Sequence, residues 1–349
     1  MTASENFAKV LAGESGIRLH EHPFGFEGSV PAALMDREKI LSIASEENIH
    51  GLTFFEILMV LSATRAIAQA GIDPQSPRTA FIFSSIKGNV DCLPVEKDVP
   101  LAVSAGRVLR HFGNPGKPFV VSNACISGLA AIIQGKRRLE EGQYDNAVIV
   151  GAEIQSKFII SGFTALKALS SEPCRPFDKD RCGLNPGEGA ATMVLSASDA
   201  PGWELVDGAI RNDANHISGP SRTAEGSYNA LRAVLGDQMP AFVGVHGTAT
   251  PYNDEMESIA LTRAGLQDLP VMALKGYYGH TMGAAGLLET ILSMKAADQG
   301  IIPGIKGYSE SGVSNPLNLS SENRPVSGNS FVKLLSGFGG CNAAALFRK

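Results

Sequence analysis

The chain has 349 residues, more than one average domain, with 30 Lys and Arg against 35 Asp and Glu, for a net charge of −5. This mildly acidic balance without a basic run argues against a protein that binds nucleic acid or anionic membranes. Hydrophobic residues at 44% and charged residues at 19% exclude a disordered chain, and the 38 glycines indicate many tight turns or close backbone approaches within the fold.

The cellular compartment is predicted from the N-terminus, the apolar runs and the cysteines. The first sixteen residues lack the apolar core of a secretory signal, and no run of 18 apolar residues predicts a transmembrane helix. The longest apolar stretch, Phe54 to Ala70, contains Glu56 and Arg65 and indicates an amphipathic helix. The five cysteines follow no disulfide or zinc-ligand spacing. We therefore expect a cytoplasmic protein with free thiols, no metal, no nucleic-acid partner and no membrane insertion.

Short apolar strands alternate with helical patterns along the chain. A polar stretch rich in Gly and Pro, residues 170–189, separates two halves of similar pattern, which could reflect an ancient duplication. The alternation predicts an α/β layered fold. The predicted strands are 79–84, 118–122, 146–151, 191–195, 241–246 and 271–274, and the predicted helices are 126–141, 254–264 and 281–297.

Cys125 lies between a predicted strand and a predicted helix. The free amides and the dipole at the start of that helix should stabilise a thiolate, which predicts a thiol pKa lowered from about 8.5 toward neutrality. Ser127 and Gly128 allow a tight turn and leave room for an acyl chain. Taken alone, the pattern fits a nucleophile and a small buried core cysteine about equally.

Two histidines occur at places where α/β folds bind ligands. His246 ends a predicted strand, and the loop after it offers the hydroxyls of Thr248 and Thr250. His280 precedes a strongly apolar helix, whose N-terminal end should keep the imidazole neutral and able to donate a hydrogen bond. Taken singly, His246 could be a loop residue before a capped helix, and His280 could be incidental to close helix packing.

The C-terminal segment LSGFGGCN, residues 335–342, places three glycines around Phe338. It could supply a backbone N–H to an oxyanion beside a mobile aromatic ring, or it could be a simple hairpin turn. Lys275 adds a positive group five residues before His280. A cysteine, two histidines, a lysine and an oxyanion loop are hard to obtain together from packing alone, so the sequence predicts a catalytic site.

The motifs around these residues resemble those of β-ketoacyl-acyl carrier protein synthases of the elongating Cys-His-His type, in the thiolase-like superfamily. The resemblance implies a thiolase-like layered αβαβα fold in a single domain, residues 1–349, whose two similar halves meet near residues 185 and 186. The matching segments, in the family's order, are NACISG (123–128), PFDKDRCGLNPGEGA (176–190), DANH (213–216), HGTATPYND (246–254), KGYYGHTMGAAG (275–286) and GFGGCN (337–342).

The resemblance also implies the roles of the catalytic residues. Cys125 would accept the acyl group, and its backbone N–H with that of the gating Phe338 would form the oxyanion hole. His246 and His280 would act in decarboxylation of the malonyl unit and stabilise the resulting enolate. Lys275 would support the second histidine.

Three further residues receive substrate-binding roles from the same resemblance. Thr248 and Thr250 would contact the pantetheine arm, and Glu289 matches the acid further along the helix after His280. The implied reaction is decarboxylative Claisen condensation of the acyl group with malonyl-acyl carrier protein, in fatty acid or polyene-type biosynthesis. It requires no cofactor. The implied partners are acyl carrier protein, in acyl and malonyl forms, and a second synthase chain in a homodimer or heterodimer.

The chain departs from the family pattern in three places. It lacks the usual apolar first strand near the N-terminus, the segment 84–106 is short, and Ser336 stands where a Phe often precedes the gating loop. The short form, with Ser-x-x-Lys-Gly-Asn from Ser84, resembles synthases of aryl-polyene and flexirubin-type pigment clusters.

Three alternative functions fit these residues less well. An initiating Cys-His-Asn synthase, which uses acyl-CoA, is disfavoured by His280. A thiolase would need a second catalytic cysteine near the C-terminus, where Cys341 occurs after GFGG. A non-catalytic chain-length partner of a heterodimeric synthase is disfavoured by the intact Cys125, His246 and His280.

Overall fold

The computed structural model describes residues 2–93, 99–198 and 201–349. No helix in these parts of the chain combines the length and apolar character that spanning a membrane requires. The helices are α1 (Ala3–Leu11), α2 (Arg37–Glu46), α3 (Phe54–Ala70), α4 (Leu101–His111), α5 (Ser127–Glu140), α6 (Lys157–Ala165), α7 (Glu225–Leu235), α8 (Pro251–Arg263), α9 (Lys275–Tyr278) and α10 (Met282–Gln299). The strands are β1 (Arg18–Glu21), β2 (Ser29–Ala32), β3 (Thr79–Ser84), β4 (Phe119–Val121), β5 (Asn146–Glu153), β6 (Gly189–Ser196), β7 (Glu204–Asn212), β8 (Phe242–Gly244), β9 (Val271–Met272), β10 (Ile301–Ile302), β11 (Arg324–Pro325), β12 (Ser330–Gly337) and β13 (Cys341–Arg348).

The strands and helices predicted from the sequence are present, and most bounds differ by one to three residues. Helix α3 has the predicted bounds, and its second half is amphipathic as predicted, with Ala63 and Ile67 buried and Arg65 exposed. Its first half is not amphipathic. Its residues 55–61 are all buried, Glu56 included, because the helix packs on the first sheet and is covered by α2 and α4. Of the short segment 84–106, residues 94–98 lie outside the described residues.

Two sheets form the framework of the fold. The first has the strand order β4-β3-β5-β6, and the second has the order β9-β8-β12-β13-β7. In the first sheet, β4–β3 and β3–β5 are parallel pairs and β5–β6 is antiparallel. In the second sheet, β9–β8 and β8–β12 are parallel pairs and β12–β13 is antiparallel, so the two halves repeat one topology. This agreement supports the duplication suggested by the sequence pattern.

Among the strands of the described residues, the first sheet contains no counterpart of β7. This absence agrees with the missing first strand noted in the sequence, and the residues before β3 instead contain the separate hairpin β1–β2. The predicted boundary between the halves, near residues 185 and 186, is too early. Strand β6 pairs with β5 in the first sheet, so the second sheet begins only with β7.

The helices and sheets stack in five layers. Helices α5 and α10 lie between the sheets and contact both, α3 and α4 cover the outer face of the first sheet, and α7 and α8 lie against the outer face of the second. The alternation of strand side chains fits this stacking, since Ile149 faces the central helices and Val148 faces α3 and α4. The predicted layered αβαβα fold is confirmed.

The two central helices touch through their backbones. A Cβ at Gly128 would lie 2.8 Å from the backbone nitrogen of Leu287, and one at Gly286 would lie 2.2 Å from that of Leu129. Only glycine at both positions allows this approach. The crossing brings the N-terminal ends of α5 and α10 together, and those ends carry Cys125 and His280.

We expect Gly286→Ala to lower the free energy of unfolding by about 3 kcal/mol, because the new methyl group forces the central helices apart. The measurement is chemical denaturation of the variant and the wild type. The matched control is Gly162→Ala in α6, where a Cβ meets no atom within 4 Å. There we expect no loss and a gain of up to about 1 kcal/mol from helix propensity. Equal stabilities for the two variants would contradict the close crossing.

Candidate active site

Cys125 lies on a sharp turn between β4 and α5. Ala124, just before it, has a φ of +43°, an unfavourable conformation for a residue with a side chain. Ser127 holds the turn, because its hydroxyl accepts a hydrogen bond from the backbone N–H of Asn123 at 2.8 Å and donates one to the carbonyl of Ala124 at 2.6 Å. The turn directs the thiol toward the ends of the second-half elements.

The thiol of Cys125 is protonated at neutral pH. Burial raises its pKa to about 12, and the opposing effects of the Lys275 charge and of the backbone N–H of Phe338 do not cancel the loss of water. The prediction that the start of α5 lowers the pKa toward neutrality is therefore wrong. Burial therefore disfavours a free thiolate at this position.

Both predicted histidines lie beside the nucleophile. The sulfur of Cys125 and one ring nitrogen each from His246 and His280 lie within 4.8 Å of one another, and the imidazole rings are 5.0 Å apart at 79°. All three residues are buried. Sulfur and imidazole nitrogen are also zinc ligands, but a metal ion here would have to displace the proton of a thiol with a raised pKa.

Both histidines are neutral. Burial, with the nearby positive charge of Lys275, holds the pKa of each imidazole well below its ordinary value. This confirms the neutral His280 predicted from the sequence, although burial is the larger cause. The backbone N–H of Met282 donates to Nδ1 of His280 at 3.3 Å, which leaves the ring proton on Nε2. That Nε2 has no hydrogen-bond partner in the described structure and is available to a substrate.

The backbone of His280 is held by the Gly/Pro-rich segment between the halves. Its N–H donates to the carbonyl of Asn185 at 2.7 Å, and its carbonyl accepts from Gly187 at 3.1 Å. A Cβ at Gly187 would lie 2.1 Å from the carbonyl oxygen of Tyr278. This Gly/Pro-rich segment, residues 170–189, therefore supports the backbone of His280.

Two buried carboxylates hold the loop after β8. Glu257 accepts hydrogen bonds from the N–H groups of His246 and Gly247 at 2.6 and 2.7 Å, and Asp254 accepts from that of Thr248 at 3.0 Å. Burial and the neighbouring Asp254 raise the pKa of Glu257 to about 7. The sequence analysis assigned no role in the site to either acid. In the structure they fix the loop that presents His246.

The predicted threonine pair lies in this loop. The hydroxyls of Thr248 and Thr250 are 2.8 Å apart, so each can be oriented by the other. Thr248 is buried and Thr250 is partly exposed, which places the pair between the buried histidines and the surface. Their contact with a pantetheine arm stays a prediction.

Lys275 and Glu289 have contacts that differ from those expected. The ammonium of Lys275 donates to the carbonyl of His246 at 2.7 Å and to Glu289 at 2.6 Å, so it supports the first histidine directly and His280 only through its charge. Glu289 was expected to bind substrate, but its carboxylate lies between Lys275 and a second lysine, Lys333, at 2.7 Å. Burial would raise the pKa of Glu289, yet the two lysines lower it.

The GFGG segment forms the turn of the β12–β13 hairpin, so both sequence interpretations of it are compatible. The backbone N–H of Phe338 faces the sulfur of Cys125. A Cβ at Gly337 would come within 3.1 Å of the backbone nitrogen of Cys125, which shows how closely the turn approaches the nucleophile. The ring of Phe338 is 38% exposed and lies 6.1 Å from that of Phe163, at the mouth of the site.

Ser336, one of the departures from the family pattern, belongs to a buried polar network. Its hydroxyl and that of Ser227 both donate to the side-chain carbonyl of Asn342, at 2.9 and 2.7 Å. The amide nitrogen of Asn342 donates in turn to Asp213 at 3.1 Å. Hydrogen bonds to α7 and to the loop after β7 therefore fix the base of the β12–β13 hairpin.

Glu153, at the end of β5, is a site residue that the sequence analysis missed. Its buried carboxylate accepts hydrogen bonds from the N–H of Gly283 at 2.8 Å, the N–H of Ile86 at 2.9 Å and the hydroxyl of Ser85 at 2.7 Å. It thus ties the first turn of α10 to the loop after β3. An acid directly after the apolar run NAVIVGA was the signal in the sequence.

Comparison with known proteins agrees with this site. Residues 41–200 match the family model of the β-ketoacyl synthase N-terminal domain, and residues 203–309 match that of the C-terminal domain. The 3-oxoacyl-[acyl-carrier-protein] synthase 2 of Vibrio cholerae is 30% identical, with 100% of this chain and 95% of the relative covered. A tetracenomycin polyketide synthase ketoacyl synthase alpha subunit from Streptomyces glaucescens is also 30% identical, with 84% and 80% covered.

Solved structures share the fold. The ishigamide ketosynthase/chain length factor superposes with a TM-score of 0.87 at 23% identity, covering 99% of this chain and 94% of that one. A ketosynthase in complex with its chain length factor from Xenorhabdus doucetiae gives a TM-score of 0.84 at 23% identity, with the same coverage. The chain belongs to the β-ketoacyl synthase family, whose members are acyltransferases that form carbon–carbon bonds.

Proposed function

We propose that Cys125, His246, His280 and the backbone of Phe338 perform decarboxylative condensation of an acyl group with malonyl-acyl carrier protein. The observation that carries the proposal is the buried arrangement of one thiol and two neutral imidazoles within 4.8 Å. A neutral imidazole can accept the proton of the thiol in one half-reaction and donate a hydrogen bond in the other.

Acylation of the nucleophile comes first. The sulfur of Cys125 attacks the carbonyl carbon of an acyl thioester while its proton passes to a neighbouring imidazole. The backbone N–H groups of Cys125 and Phe338 stabilise the oxyanion of the tetrahedral intermediate. The carrier-protein thiol then leaves and takes up the proton, so the site returns to neutral imidazoles and carries an acyl-cysteine.

Carbon–carbon bond formation follows. When the malonyl carboxylate leaves as CO₂, negative charge develops on the thioester oxygen, and Nε2–H of His280 and the imidazole of His246 stabilise it by hydrogen bonds. The enolate carbon attacks the acyl carbon and the sulfur of Cys125 leaves as a thiolate. The thiolate then takes up one proton from solvent, which restores the thiol. The product is a 3-oxoacyl thioester. A dry cavity strengthens these hydrogen bonds because no water competes for them.

The substrate arm reaches the cysteine past Thr248 and Thr250, whose paired hydroxyls suit the amides of a pantetheine chain. Lys275 and Glu289 act behind the site and position His246. We assign Glu289 this positioning role in place of the substrate-binding role expected from the sequence.

The proposed partners are acyl carrier protein and a second synthase chain. One structural neighbour is a ketosynthase bound to its chain length factor, and another is a type II acyl carrier protein in complex with its ketosynthase. In this chain β4 pairs only with β3 among the described strands, and Val120 is 37% exposed at that free edge. Such an edge favours pairing with another chain. The short form points to a polyene-type pathway with a heterodimer, in which this chain supplies the catalytic residues.

The central test of this proposal is a condensation assay. Wild-type protein with acyl- and malonyl-acyl carrier protein should release 3-oxoacyl-acyl carrier protein, detected by mass spectrometry, together with a transient acyl adduct on Cys125. Cys125→Ala should lose at least about 10³-fold in rate because the covalent route is gone. The assay includes a chain-length-factor homologue, since the active form can require it. Identical results for wild type and variant would refute the proposal.

The pH dependence of decarboxylation tests the state of the histidines. Because burial holds both imidazole pKa values well below 6.5, the neutral form persists, and the rate should stay level from pH 8 down to 6.5 and fall only at lower pH. The measurement uses the pre-acylated enzyme, so that titration of the thiol does not contribute. An acid limb with its midpoint at or above pH 6.5 would contradict neutral histidines.

The free edge of β4 makes a separate prediction about assembly. Val120→Asp should weaken dimerisation at least about tenfold, because a charge at a strand edge opposes pairing. Light scattering coupled to size exclusion measures the change. Met239→Asp, at another exposed apolar residue, is the control and should leave the assembly intact. If the wild type and Val120→Asp dimerise equally well, this edge is not the interface.

A further inference from the structure

Lys333 is a charged residue at the centre of a buried strand. It lies in β12, where its neighbours Val332 and Leu334 are fully buried, and it is itself only 1% exposed. A buried ammonium loses its hydration and is tolerated only when other groups replace the lost water. The established family chemistry of the site does not account for this cost, so the contacts of Lys333 are informative.

The ammonium of Lys333 contacts the strand that carries the first catalytic histidine. It lies 2.7 Å from the second carboxylate oxygen of Glu289, donates to the carbonyl of Val245 at 2.7 Å, and reaches that of Gly244 at 3.3 Å. Lys275 bonds the other oxygen of Glu289 and the carbonyl of His246. Two lysines on one carboxylate therefore hold the carbonyls of three successive residues, the last of them His246.

We propose that Lys333 is a positioning residue that fixes the end of β8 and holds His246 in place for enolate stabilisation. The inference rests on the proposed function, since it assigns a role in that reaction. Lys333 touches no reacting atom; it acts through the backbone of residues 244 and 245 and through Glu289. A neutral residue there would release those carbonyls and leave Glu289 with one cation.

The charges around His246 support the same role. Facing it are Lys275 from α9, Lys333 from β12, His280 before α10, Glu257 from α8, and the thiol of Cys125. The lysines oppose formation of the imidazolium, whereas Glu257, bonded to the backbone N–H of His246, favours it. Removing the ammonium of Lys333 therefore shifts the balance toward protonated His246 and moves the acid limb of decarboxylation to higher pH.

The test separates the two half-reactions in the full-length protein. Lys333→Met keeps the length of the side chain and removes its charge. We expect acylation of Cys125 to change less than about threefold and decarboxylation by the acyl-enzyme to fall at least about tenfold, with the acid limb moved to higher pH. Leu335→Met, a buried residue two positions along the same face of β12, is the matched control and should leave both half-reactions unchanged.

Chemical rescue distinguishes a positive charge from simple filling of the core. Lys333→Ala leaves a space lined by a carboxylate oxygen and two carbonyls. Methylammonium chloride should therefore raise the decarboxylation rate of this variant at least about fivefold, and sodium chloride at equal ionic strength should not. If Lys333→Met fails to fold, Lys333→Ala purified with methylammonium and then depleted of it gives the same comparison in one folded protein.

Two results would overturn the proposal. One is Lys333→Met with an unchanged decarboxylation rate and pH profile. The other is equal loss of both half-reactions without rescue by methylammonium, which would mark Lys333 as merely structural. Failure of the proposed function is a different outcome, because the wild type would then neither become acylated on Cys125 nor decarboxylate malonyl-acyl carrier protein. A condensing wild type beside an unaffected Lys333→Met variant refutes only the role of Lys333.

Discussion

The backbone contact between the two central helices is the constraint on which the site depends. Helices α5 and α10 come from different halves of the chain, and they begin two residues after Cys125 and His280, respectively. Their crossing at Gly128 and Gly286 allows no side chain between them. The nucleophile and the second histidine are therefore brought together by the same packing that joins the two sheets, and the site cannot be altered at this point without altering the core.

Three buried glutamates fix the loops that surround the site. Glu153 ties the start of α10 to the loop after β3, Glu257 holds the loop that presents His246, and Glu289 joins the two lysines behind that loop. Each carboxylate is shielded from water and bonded to groups from other elements, so each costs stability unless all its partners are in place. The three acids convert loops, which are ordinarily mobile, into fixed supports for the reactive side chains.

The sequence predicted the layered fold, the nucleophile turn and both histidines because each depends on local patterns or on family motifs. It did not predict the partners of Lys275 and Glu289, the role of Glu153, or the raised pKa of Cys125. Those properties arise from contacts between residues far apart in the chain, and the local sequence does not determine how deeply a side chain is buried. Lys333 lies between the two cases, since a lysine within the apolar run FVKLL indicates a buried charge but does not identify its partner.

Burial of the site has two opposite consequences that the chemistry must reconcile. It keeps both imidazoles neutral, which suits hydrogen bonding to an enolate, and it keeps the thiol of Cys125 protonated, which opposes nucleophilic attack. A preformed thiolate–imidazolium pair would supply the nucleophile but replace a neutral imidazole with a charged one. The mechanism proposed above avoids the charged pair, because the thiol gives up its proton only as the thioester carbonyl arrives and the proposed oxyanion hole takes the developing charge. In this mechanism the thiol of Cys125 stays protonated until a thioester substrate is bound, and only then becomes a nucleophile.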